Sequence, residues 1–185
     1  MSTQMRSVVA SLLLAVPVVA ETTHVTGDQW WGEVSFAVTQ VAGWMLLATV
    51  VRALPAGTGR WGRRLVMGGV ALEAAFALLY LATYAASGEP SVAVWPVFLA
   101  GFLALTAGCV IWARGLRRVG SYRLAGAGLM GVAVLGFAAM AIGSDPFHDL
   151  ALVGSYLAWI VVGRAAGDES PTRDAAVAEI STPSR

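Results

Sequence analysis

Long apolar blocks joined by short polar connections set the pattern of the chain. Mostly hydrophobic stretches occupy residues 33–51, 65–86, 94–113, 124–143 and 150–163. A bilayer core about 30 Å thick is crossed by about 20 apolar residues rising about 1.5 Å each. Each block therefore predicts a membrane-spanning helix, the last a short one. The block SVVASLLLAVPVVA at 7–20 predicts another. Its alternative is a cleaved signal peptide, because Val18 and Ala20 place small residues ahead of a cut before Glu21. The charged region in front is only Arg6, which favours a retained helix. The expected fold is all-α, a polytopic membrane helix bundle of six transmembrane helices, or five if the first is removed. Residues 1–164 are expected to form the bundle and 165–185, which lack apolar periodicity, a disordered cytoplasmic tail.

Charge adds an orientation. The basic residues are twelve arginines with no lysine. They group as Arg6; Arg52, Arg60, Arg63 and Arg64; Arg114, Arg117, Arg118 and Arg123; and Arg164, Arg173 and Arg185. With the spans above, all fall on one side. The positive-inside rule makes that side cytoplasmic, with both termini there in the six-helix reading and Asp28, Glu89 and Asp145 outside. A composition of 57% hydrophobic and 12% charged residues agrees, and the net charge of +1 conceals the asymmetry. Because these arginines flank spans, they predict contact with anionic membrane lipids and no nucleic-acid partner. Cys109 has no second cysteine to pair with and reads as packing. Rows of small residues, Ala100, Ala104 and Gly108, then Ala127 and Gly131, predict close helix approach, within the chain or in a homodimer.

One residue breaks the apolar pattern. In VALEAAFALLYLATY, Glu73 lies about 13 Å along a helix from Arg64, near mid-membrane. An ionised carboxylate there costs several kcal/mol, so it must be neutral, paired or facing a wet cavity. Helical spacing places Tyr80 and Tyr84 above it and Phe76 beside it. The plain structural alternative is an acid hydrogen-bonded to the next helix, with Thr106 or Gln40 as partner.

The outward connections add His24, Asp28, Trp30, Trp31 and Glu33 in one segment and Asp145, His148 and Asp149 in another. These types can shuttle protons or bind a divalent ion. Their spacing fits no established ligand motif, so no metal and no cofactor is assigned. The tryptophans read as interfacial anchors. Pro146 breaks a helix, and Asp149 suits the first turn of the next. Signatures for nucleotide hydrolysis, zinc proteolysis, serine-triad hydrolysis and dithiol redox chemistry are absent from the sequence.

The stretch ARGLRRVGSYRLAGAGLMGVAVLGFAAMAIGSDPFHDLALVGSYLAWIVVGR resembles two kinds of small multispan protein. One is a broad group of uncharacterised six-span bacterial membrane proteins. The other is the integral-membrane terpene cyclases of actinobacterial and fungal meroterpenoid pathways, similar in size, span number and placement of acids in an aromatic bundle. The second resemblance implies a lipophilic prenylated substrate, protonated and guided through carbocation cyclisation. It implies Glu73 as the acid, Asp145 or Asp149 as an assisting acid, and Trp44, Phe76, Tyr80, Tyr84 and Trp159 as cation–π walls. Two other functions stay open: a small proton-coupled transporter with Glu73 as its coupling group, and a non-enzymatic subunit of a membrane complex.

Overall fold

A computed structural model of the chain describes residues 1–22, 29–55, 59–118, 122–142 and 147–168. Among these there are six α-helices and no strand: α1 (Thr3–Thr22), α2 (Gln29–Ala53), α3 (Arg60–Ser87), α4 (Trp95–Arg117), α5 (Arg123–Ile142) and α6 (Phe147–Asp168). All six are long and apolar enough to cross a membrane.

Several helices outrun their apolar blocks. α2 takes in Trp30 and Trp31, α3 begins at Arg60, and α6 runs past Arg164 to Asp168. No proline interrupts residues 56–89, which lets α3 run unbroken. It stops at Gly88, whose left-handed φ of 76° turns its N–H onto the Tyr84 carbonyl at 2.8 Å. A single 3-10 turn at Val92–Val94 follows, its Ala93 N–H donating to the Ser91 hydroxyl, and Pro96 sits in the first turn of α4.

Each helix packs on its neighbours in sequence, and α1 packs on α6, so the six close into a ring. Along α3 from Gly62 to Gly69, the facing position on α4 moves back from Gly108 to Gly101, so this pair is antiparallel. Their backbones touch. A Cβ on Gly69 would lie 2.7 Å from the Leu105 nitrogen, and one on Gly108 2.7 Å from the Val66 nitrogen. The expected small-residue rows divide between these contacts and the outside, Gly108 meeting α3 and Gly131 meeting Ala158 of α6. Ala100 is exposed and Ala104 half-buried, while Gly108 of that row meets the α3 backbone. On α5 the tight approach is made by Gly128 against Ala158 and Val162 of α6, while Ala127 is exposed. One position along a helix is a rotation of about 100°, enough to turn a row from its neighbour to the outside.

Large apolar side chains cover the outside of the ring, among them Trp61, Leu78, Leu103, Phe137 and Leu150. Such a surface suits lipid and not water. Hydroxyls within the helices bond to carbonyls one turn back, as Thr39 does to Ser35 at 2.7 Å and Thr49 to Leu46 at 2.7 Å. Inside, packing is uneven along the ring axis. The half toward the arginines is filled by fully buried Val51, Val66, Trp112, Leu116, Leu129, Trp159 and Val162. There the Trp112 indole donates to the Pro55 carbonyl at 3.1 Å, tying α4 to the end of α2.

Candidate functional site

The other half of the interior holds a cavity of about 50 Å³. Its walls come from five helices: Trp44 of α2, Glu73 of α3, Phe98, Phe102, Leu105 and Thr106 of α4, Val132, Gly136 and Met140 of α5, and His148, Leu152, Ser155 and Tyr156 of α6. Trp44 and Tyr156 meet edge to face across the ring, centroids 6.0 Å apart at 79°. Mid-helix residues such as Glu73 and Trp44 line one end. Met140 and His148, near the ends of α5 and α6, line the other. At roughly 10–15 Å³ for a water, the space has the volume of a few waters.

Glu73 is 6% exposed. Its carboxyl fills the notch left by Gly101 on α4, where a Cβ would lie 2.8 Å from Oε1. Among the described residues, no side chain or backbone group hydrogen-bonds or ion-pairs with it. The Tyr156 hydroxyl is within its electrostatic reach. The two structural partners expected for it do not engage it. Gln40 donates to the Leu14 carbonyl at 3.2 Å, and Thr106 shares the cavity wall without bonding to the acid. A carboxyl kept in an apolar bundle without a bonded partner is the costly arrangement that structural acids avoid.

The remaining expected residues are spread over four places, with one more outside the described residues. Trp44 is on the cavity wall with Glu73. Phe76, Tyr80 and Tyr84 are not. They form an aromatic layer behind the wall, Phe76 packing on Tyr80, Trp95 and Phe98, Tyr80 on Phe36, and Tyr84 stacking on Trp30. Trp159 is fully buried in the packed half, where its Nε1 and the Ser11 hydroxyl are buried without a hydrogen-bond partner among the described residues. Asp149 is half-buried in the first turn of α6. Asp145, with His24 and Asp28, lies outside the described residues, as does the expected tail beyond residue 168. Among the described residues, no group of three or more metal-ligating side chains converges.

Six aromatic or polar cavity residues escaped assignment from sequence to this site. Phe98 and Phe102, with Trp95, follow helical spacing in WPVFLAGF, a signal that was there to read. Ser155 and Tyr156 interrupt an apolar run in LVGSYLAWI as plainly as Glu73 does. Thr106 appears above only as a bonding partner. His148 appears as part of a connecting segment, but it belongs to α6, and its Nδ1 lies 2.7 Å from the Ala139 carbonyl of α5. Comparisons with protein-family models, with curated proteins and with solved structures each find no match.

Proposed function

We propose that this chain is a multispan protein of the cell membrane, arginine end and both termini in the cytoplasm, that couples proton movement to transport of a small polar solute. Glu73 is the coupling group. One observation carries the reading: a buried carboxyl without a bonded partner ends a cavity confined to the half of the ring away from the arginines. A transporter needs an ionisable group near mid-depth that is reachable from one side at a time. The packed arginine half supports closure on that side. Thr106, Ser155 and Tyr156 supply hydroxyls to a solute or to water beside the acid. The test is flux in sealed proteoliposomes under an imposed pH gradient, across a panel of small polar solutes. Gradient-driven flux lost in Glu73→Gln is expected. Flux that survives this substitution would overturn the role of Glu73.

The terpene cyclase reading stands second, favoured by the aromatic walls Trp44, Phe98 and Phe102 around the acid. In that reading Glu73 protonates a prenylated substrate that enters from lipid. It ranks second because the cavity of about 50 Å³ is far below the roughly 300–1,000 Å³ of sites for larger organic ligands. Product formation from prenylated candidates in membranes carrying the chain, abolished by Glu73→Gln, would reverse the order.

A further inference from the structure

We propose that His148 is the group through which protons enter and leave the Glu73 cavity. The inference rests on Glu73 exchanging a proton, and it goes beyond the transport reading by naming the path. His148 is half-buried in the first turn of α6 and also forms part of the cavity wall, at the end remote from mid-helix. Its Nδ1 is 2.7 Å from the Ala139 carbonyl oxygen. A carbonyl only accepts, so Nδ1 carries the hydrogen and donates. In the neutral ring, Nε2 is then the nitrogen with a lone pair. The ring is pinned to α5 through one nitrogen and keeps the other for proton transfer.

The charged groups on the elements packed against α6 include Glu33 and Arg52 of α2 and Arg123 at the start of α5. α5 carries no titratable side chain from Leu124 to Ile142. On α1 the described titratable side chain is Arg6, near the start of that helix at the arginine end. On α6 itself the neighbours are Asp149, next in the chain, and Tyr156, two turns on. Across the cavity stands Glu73 of α3. His148 and Glu73 border the same cavity, whose volume of about 50 Å³ is that of a few waters.

The transfer balances without an oxidant or reductant. A proton from external hydronium forms an Nε2–H bond as its own O–H bond breaks, while Nδ1–H stays on the Ala139 carbonyl. The Nε2–H bond then breaks as the proton passes to cavity water. That water delivers a proton to the Glu73 carboxylate, and the ring returns to its starting tautomer. Release runs the same steps backwards.

The test is time-resolved infrared spectroscopy of the full chain in lipid nanodiscs after a pH jump. The carboxyl band removed by Glu73→Gln reports Glu73. Replacing His148 with glutamine keeps an N–H donor for Ala139 but removes the titratable ring. His148→Gln is expected to slow the Glu73 band by at least about tenfold, with added imidazole restoring the rate. An unchanged rate overturns the proposal. So does slowing that imidazole fails to rescue, which marks a purely structural histidine. A melting temperature equal to wild type checks that the variant is folded. The readout does not depend on flux. Absent transport with an imidazole-rescued band removes the transport reading and leaves His148 in place, whereas transport with an unaltered band in His148→Gln does the reverse.

Discussion

Gly101 of α4 and Glu73 of α3 share one volume: a methyl group on the glycine would come within 2.8 Å of the acid's Oε1 and 3.2 Å of its Cδ. The same methyl would also lie 3.0 Å from the Leu72 Cβ, a contact the helices can absorb with a small shift. Gly101→Ala should therefore move the carboxyl more than it disturbs the fold. The expected result is a loss of at least about tenfold in Glu73-dependent flux, with the protein still extracted as a folded, monodisperse species. Flux assays beside a thermal melt in detergent check both halves.

The α3–α4 contact makes a sharper stability prediction. Gly69 and Gly108 face backbone atoms that cannot swing aside, whereas a Cβ on Gly68 would meet nothing within 4 Å. Gly69→Val and Gly108→Val should each cost about 1–3 kcal/mol or more. Gly68→Ala, one position away on the same helix, should stay within about 0.5 kcal/mol of wild type. Unfolding of the three variants in mixed detergent measures the contrast.

Replacing Glu73 should stabilise the bundle while removing its activity. A structural acid would behave oppositely, since its loss would leave a buried partner unsatisfied. Glu73 has no bonded partner among the described residues, so Glu73→Met removes a buried polar group and orphans nothing. The expected gain is about 1–2 kcal/mol by reversible unfolding. A loss of that size would instead establish a bonding role.

These predictions separate what the sequence discloses from what it hides. Helix number and the one-sided arginines are legible because lipid demands about 20 apolar residues per crossing. Glu73 stands out for the same reason: nothing else in its span is ionisable until Tyr80. The phase of each helix is not legible. Ala100 and Gly101 are adjacent small residues, yet Gly101 meets Glu73 and Ala100 is exposed, because rotation about the axis is set by the partner helix. The aromatic expectation fails in the same manner. Tyr80 and Tyr84 do share a helix with Glu73, but the cavity is walled by Phe98 and Phe102 of α4 and Tyr156 of α6. Same-helix spacing finds neighbours along one rod and says nothing of which rod lies opposite.

Topology can be tested with the natural cysteine left in place. Cys109 is fully buried, so a membrane-impermeant maleimide should not reach it. Glu89 and Arg118 are exposed at opposite ends of α4. In intact cells Glu89→Cys should label and Arg118→Cys should not, with Arg118→Cys labelling only after the membrane is opened. The reverse pattern would invert the proposed orientation.

The contact of α1 with α6 makes the architecture a circle, and a circle has no privileged starting point. Ser7 and the carbonyl of Thr3 lie against Gly163, so the beginning of one helix runs beside the last turns of the other. A chain rejoined there and opened between α3 and α4 would keep every neighbouring pair of helices. It would, however, enter the membrane with α4 first, from the end that carries no described arginine. Such a chain thus separates the order of insertion from the order of packing. A permuted chain would reveal how far the arginines alone can set the direction of a bundle that its packing leaves undecided.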